Sequence, residues 1–342
     1  MGASEERVLG GRVDGPGGSA VTQLAQLLGR ADAEFDVIGH RLVHGGSSHI
    51  APERITAVLL RDLKKLAALD PEHLPPALRI VAALRRAFPG RPDFACFDTA
   101  FHHGMPDEAS RFALPRKYFR AGIRRYGFHG LSFSFLMEEL ARLAGRPAAR
   151  GKVLLAHLGG GASLAAVRGG KPIDTTMGFM PSGGLMMATR CGDLDPGVIL
   201  RLWESGLSRA ALSRLVNQES GLLGVSGRSA DLRVVQARAR RDPACDLAIR
   251  MLGYSALKHA GAMAAALGGL DTLVFSGGIG EHSPAIRARI ARGLGFAGVA
   301  IDPARNRRNA PVISRPGSRI TVRVIATDEE RMIARAGVRL FS

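Results

Sequence analysis

Apolar positions follow two rhythms along the chain. Short β-rich runs alternate with longer stretches in which apolar residues recur every three or four positions, and this predicts an α/β architecture. The first run is Val37 to Val43 (VIGHRLV). Helical patterns follow at 53–69 and 77–87, parted by Asp70, Pro71 and the Pro75-Pro76 pair, which a helix interior rejects. FACFD (94–98) predicts a second strand, and a looped segment through RRYGFHG leads to a helix at 132–145. Gly145 and Pro147 end that helix and mark the expected domain boundary, because the strongly apolar KVLLAHL (152–158) opens a new unit. ASLAAVR and KPIDTTM read as a meander, and helices are predicted over 195–216, 229–240 and 244–267. DTLVFSGG (271–278) is a buried strand entering a glycine turn, and ITVRVIAT (320–327) is the last strand before a C-terminal helix. No repeat at solenoid periods occurs.

Composition narrows the class. With 342 residues, 46% hydrophobic and 23% charged, the chain is long enough for two globular domains, which excludes disorder and small stapled scaffolds. Three scattered cysteines, Cys96, Cys191 and Cys245, supply neither a disulfide framework nor a four-ligand zinc site and fit a reducing cytoplasm. No apolar run approaches the ~20 residues of a membrane span, and MGASEERVLGGRVDGPGGSA lacks the apolar core of a secretory signal. The expectation is a cytoplasmic protein with no membrane partner. A net charge of +17 raises nucleic acid as a partner. The charge comes from 41 arginines and six lysines spread over the whole length, however, which speaks for a compositional bias rather than a basic patch, so no nucleic-acid partner is expected.

Two glycine turns, HLGGGAS (157–163) and SGGIGEHS (276–283), each follow an apolar strand and offer backbone amides free of side-chain obstruction. Glycine turns end many strands, but a pair of them points to a nucleotide, and neither matches the P-loop or the dinucleotide fingerprint. Arg41, in GHRLVHGG, ends a strand where α/β folds present ligand groups. Arg190, in MMATRCGDLDPG, sits in a polar, turn-rich setting. A surface ion pair is the competing explanation for either arginine. Asp98, in FDTAFHHGMP, reads as a strand-end acid or a helix cap, and His129, in RRYGFHG, as a reactive or a merely satisfied loop histidine. Arginine's planar fork suits carboxylate and phosphate.

HRLVHGG, FDTAFH, RRYGFHG, DTTMGFMPSGGLMMATRCGDLDPG, FSGGIGEHSP and TDEERMIAR, in this order over residues 35–342, resemble the acetate kinase family. The resemblance implies two ribonuclease-H-like domains of the actin-like ATPase superfamily. These are residues 1–147, an incomplete acyl-substrate domain against which a helix at 328–342 packs back, and 148–327, a nucleotide-binding domain. It implies reversible phosphoryl transfer from ATP to acetate, giving acetyl phosphate and ADP, with Mg²⁺ as cofactor and a homodimer as the assembly. Arg41 then resembles the carboxylate-binding arginine, Asp98 the catalytic aspartate, His129 and Arg190 the pair that stabilises the transition state, His73 an additional active-site histidine, and Glu329 the magnesium-linked acid, with Glu330 facing its helix. Nucleotide contacts fall on His157, Leu158, Gly159, Gly160 and Gly161, on Asp231, Leu232 and Arg233, and on Gly277, Gly278, Ile279, Gly280 and Glu281.

Three departures accompany the resemblance. The N-x-G-S-S-S-x-K turn with which the family begins has no counterpart, and residues 1–34 resemble the segment that comes after it. The expectation is therefore weak or absent turnover and open edges on the strands at 37–43 and 94–98. Gly160 stands where many relatives have asparagine, and Phe133 where they have a second histidine. A non-catalytic nucleotide-binding remnant and a propionate or butyrate kinase are the other readings, and Val43 and Pro181 are candidate walls of the acyl pocket.

Overall fold

The computed structural model describes residues 35–70 and 72–342, together with Thr22, Gln23 and Gln26. The reading of residues 1–34 as a segment that comes after missing strands falls, those three residues apart, outside the described ones, as does the break at Pro71. The chain divides into two compact units: residues up to Ala100 with Asp328–Ser342, and Phe101–Thr327.

In the first unit, β1 (Ile38–Leu42), β2 (Glu53–Arg54) and β3 (Asp93–Phe97) form a sheet in the order β1-β3-β2. β1 and β3 are parallel with Arg41 opposite Cys96, whereas β2 is antiparallel and opposes only Phe94 and Ala95. The expected open edge on the strand at 94–98 is thus corrected: β3 lies in the middle, because two residues read as helix start pair with it instead. The first helix runs over Ala57–Leu66, its Thr56 hydroxyl accepting from Leu59 N. The second, Leu74–Ala87, takes Pro75 and Pro76 into its first turn, where no amide donor is required. Leu42, Leu59, Leu63, Leu74, Val81 and Phe97, each 2% exposed or less, form the core between sheet and helices. At about 1.5–3 kcal/mol for each fully buried large apolar side chain, this cluster dominates the unit's stability. The last helix, Glu329–Phe341, covers β1. Gly39 makes that approach possible, since a Cβ there would lie 2.3 Å from Ile333.

The second unit carries β4 (Lys152–Leu158), β5 (Ala162–Arg168), β6 (Lys171–Thr175), β7 (Thr272–Ser276) and β8 (Thr321–Val324), in the order β6-β5-β4-β7-β8. β6-β5-β4 is the expected antiparallel meander, and β7 and β8 add in parallel. Val153, Leu154, Leu155, Ala165, Ala166, Val167, Leu273, Val274 and Phe275 are wholly buried, which is why these strands read as continuous apolar runs. The long helix Pro243–Leu267 packs on β5, opened by the Asp242 carboxylate accepting from Ala244 N and closed by Gly268 at φ 68°.

The boundary expected at Gly145–Pro147 is instead a kink, with Gly145 at φ 83°, inside the helical span Gly130–Arg150, which packs on β4. The contact division falls at Ala100, where β3 has just ended. The predicted helix over 195–216 is two, Pro196–Glu204 and Arg209–Gln218, parted at Gly206 and restarted by the Ser208 cap. Helices at Gly221–Ser226, Gly277–His282 and Pro284–Gly293 were not expected.

Candidate functional site

Within the first unit, the parallel pairing of β1 and β3 brings their C-terminal ends side by side, and this places Arg41 next to Asp98. Arg41 Nε donates to both carboxylate oxygens of Asp98 at 3.2 and 3.1 Å, and Nη2 donates at 2.7 Å. Its Nη1 contacts Glu329 Oε2 at 2.8 Å, from the first turn of the last helix. Asp98 is 1% exposed, and this fork of donors faces its carboxylate. The loop beyond each strand is fixed too: Asp98 N donates to Leu42 O at 3.0 Å and Gly45 N to Thr99 Oγ1 at 3.0 Å. Burial opposes the charge on Arg41, but Asp98 and Glu329 more than offset it and raise its pKa above the usual value. Burial raises the Glu329 carboxyl, Arg41 pulls it back, and Asp98 and Glu330 push it up again.

These contacts occupy three of the five guanidinium donors and leave two for a substrate oxygen. Two carboxyl groups share one guanidinium here, so a bound cation would ease the approach of an anionic carboxylate. Asp98 and Glu329 are hard oxygen donors, and Mg²⁺ takes one or two carboxylates and completes its shell with phosphate and water, so these residues fit that ion. Among the described residues no group of three or more His, Cys, Asp or Glu side chains forms a closed metal cage.

The structure places His73 on Asp70, with Nδ1 2.8 Å from Oδ1, at the start of the helix Leu74–Ala87. Asp70 is fully buried, and it was missed from sequence because nothing in a helix-breaking Asp-Pro announces a histidine partner. His40, the neighbour of Arg41, is buried near Asp93 instead, 3.7 Å away, as strand alternation requires.

Within the second unit a separate cluster surrounds the first glycine turn. His129 holds left-handed backbone (φ 58°, ψ 27°) as it caps the helix Gly130–Arg150, a costly conformation for a residue with a side chain. Its Nδ1 lies 2.8 Å from Ser163 Oγ, and its ring stacks on His157 at a centroid distance of 4.3 Å. His157 Nδ1 is 2.9 Å from Ser132 Oγ, which accepts from Thr327 Oγ1 at 2.8 Å. A Cβ built on Gly161 would lie 3.1 Å from His129 Nε2 and 3.5 Å from Arg190 Nη1, so both side chains reach one turn. Arg190 Nη1 also donates to Pro181 O at 3.1 Å. Ser163 and Ser132 escaped the sequence reading. The signal for Ser163 is the register, which sets it opposite His157 across β4 and β5.

The three segments expected to hold a nucleotide line one cleft of about 510 Å³. Gly159, Gly160, Asp231, Leu232, Arg233, Gly278 and Ile279 face it, with Gln236 and His282 added. Gly277 turns the chain at φ 74°, where a Cβ would meet Leu158 O at 2.7 Å, and its amide donates to Glu281 Oε1 at 2.8 Å. Asp231 accepts from Arg233 N as a helix cap and pairs with the exposed Arg233 guanidinium at 2.6 Å. His157 and Leu158 belong to β4 and support the turn from behind.

A sequence model described as the acetokinase family matches residues 18–335. An acetate kinase of Rhodopseudomonas palustris is 44% identical over 325 residues, covering 93% of this chain and 81% of its own length. Among solved structures, Porphyromonas gingivalis acetate kinase superposes with a TM-score of 0.88 at 38% identity, covering 94% of this chain and 84% of that one. A Francisella tularensis propionate kinase superposes with a TM-score of 0.88 at 36% identity, covering 93% and 83%. Fold and relatives together define a phosphotransferase on the actin-like ATPase fold. Within that class the chain belongs to the acetokinase family, whose members phosphorylate a carboxyl group.

Proposed function

We propose that this protein catalyses reversible transfer of the γ-phosphoryl group of ATP to acetate, giving acetyl phosphate and ADP. The observation that carries the reading is Arg41, clamped between Asp98 and Glu329 with two donors left over. A carboxylate acceptor is ionised at neutral pH, with a pKa of about 4 to 5, so no strong base is called for. Catalysis then consists of alignment and charge neutralisation between two anions. Arg41 orients the acceptor carboxylate, and Asp98 fixes the guanidinium plane. Arg190 and His129 donate to the phosphoryl group in flight, and the backbone of the turn at 159–161 together with the first-turn amides of Gly278, Ile279 and Gly280 holds the nucleotide. Bound Mg²⁺, held by Glu329 and Asp98, would supply the positive charge that the acidic pair otherwise withholds.

The test is a hydroxamate assay for acyl phosphate with Mg-ATP and acetate, propionate or butyrate in turn. Acetate-dependent product is expected, with at least a tenfold rise in the acetate KM for Arg41→Gln. Best turnover with propionate would favour the substrate named for the Francisella tularensis relative. ATP binding with no product from any acid would show a non-catalytic remnant.

The same reading includes a cytoplasmic homodimer joined through the second unit. Leu247, Met251 and Tyr254 recur at helical spacing on Pro243–Leu267 and are 40–61% exposed, and Leu200 and Trp203 on Pro196–Glu204 are equally bare. Sedimentation should give a dimer that Tyr254→Lys with Met251→Lys disperses; a wild-type monomer defeats this part.

A further inference from the structure

Behind the second glycine turn lies a cleft of about 710 Å³ that the reaction does not use. Its size is that of a small-molecule site. Ala288, Val299 and Ile301 form an apolar floor, and Arg292, Arg307 and Arg315 supply three guanidinium groups. None of the cleft's lining residues is acidic. Residues 284–319 hold eight arginines and a single acid, Asp302, whose carboxylate is taken up in capping Ala304 N and Arg305 N. Among the described residues none of the three arginines is within ion-pair distance of a carboxylate, whereas many arginines elsewhere, such as Arg228, Arg233 and Arg250, are paired. An unneutralised triple charge over an apolar floor selects an amphipathic anion.

One lining residue connects this cleft to the nucleotide turn. Asn306 is 3% exposed, and its Oδ1 and backbone oxygen accept from Arg287 Nε and Nη2 at 2.8 and 2.7 Å. Arg287 Nη1 donates to Gly280 O and Glu281 O, both at 2.8 Å. This guanidinium is wholly buried among neutral acceptors, and burial lowers its pKa to about 10. It is a stiff strut between the turn at 277–281 and the cleft wall.

We infer that this cleft binds a small organic anion, a phosphate or carboxylate on a short apolar body, and that its occupancy is transmitted to the nucleotide turn through Asn306 and Arg287. Binding at the cleft is independent of the proposed reaction; only the transmission rests on the nucleotide assignment.

Calorimetric titration of the full chain with phenyl phosphate, phenylacetate and inorganic phosphate tests it without any turnover. At least one of the two organic anions should bind in a single saturable event, at least tenfold more tightly than inorganic phosphate, and the tighter of the two names the anionic group. Arg307→Gln with Arg315→Gln should weaken that binding at least tenfold, and Ala288→Trp, which fills the floor, should do the same. Failure of both organic anions to bind, parity with inorganic phosphate, or wild-type affinity in either variant overturns the site. Saturation with the bound anion should shift the Kd for ADP at least threefold in the wild-type chain, and coupling of this kind is reciprocal. The shift should vanish in the double arginine variant. No shift, or a shift that persists there, overturns the transmission.

Discussion

Arg190 shows what a single side chain contributes here. Its guanidinium and the His129 ring both come close to Gly161. A donor aimed at developing charge typically lowers a barrier by about 3–4 kcal/mol, so Arg190→Ala should reduce kcat by about 10²–10³ while the nucleotide KM stays within threefold. An unchanged kcat in steady-state kinetics would remove Arg190 from the chemistry. Arg41 and Asp98 were legible because each ends an apolar run beside a turn. Glu329 was not, since an acid at a helix start looks like any first-turn carboxylate, and only the resemblance singled it out. Ser163 and Ser132 stayed hidden because their partners lie on other elements, and pairing register is not written in local pattern; Asp70 stayed hidden because an Asp-Pro step reads as a helix break.

Among the elements, the six-residue helix Gly221–Ser226 decides how the Arg190 loop sits. Leu222 N donates to Met187 O at 2.9 Å and Leu223 N to Ala188 O at 3.0 Å. The contact is so close that a Cβ on Gly221 would fall 2.2 Å from Met187 O, and the residue is left-handed at φ 64°. Gly221→Ala should therefore cost about 2–4 kcal/mol of stability, read as a lower urea midpoint, and should lower kcat as Arg190 is displaced. A midpoint within error of wild type would mean the loop gives way freely. Long periodic segments such as 244–267 were readable to within a residue or two. GLLGVS was not, because six residues carry too little periodicity, and β2 was lost because two residues carry none.

For the whole molecule, the relevant balance is between burial and protonation. His40, His44 and His102 are buried in native structure, and burial lowers each pKa from 6.5 to about 4. The unfolded chain therefore binds these protons more readily than the folded one. The resulting stability is complete above pH 6.5 and is lost as pH falls from 6.5 towards 4, by at most roughly 3 kcal/mol per histidine. Urea unfolding at pH 7 and pH 5 measures this; equal midpoints would show that the three rings ionise as freely folded as unfolded. The alternation of strands and helices revealed the α/β class. It could not reveal that residues 101–147 belong with the sheet of β4 to β8, because a glycine and a proline mark a kink as readily as a boundary.

The bidentate bond between Arg41 and Asp98 has one more effect. Sliding β1 by a single position against β3 would turn Arg41 to the opposite face of the sheet and take the guanidinium away from the buried Asp98 carboxylate, a costly loss. The same ion pair thus favours the native strand register over its one-residue neighbour.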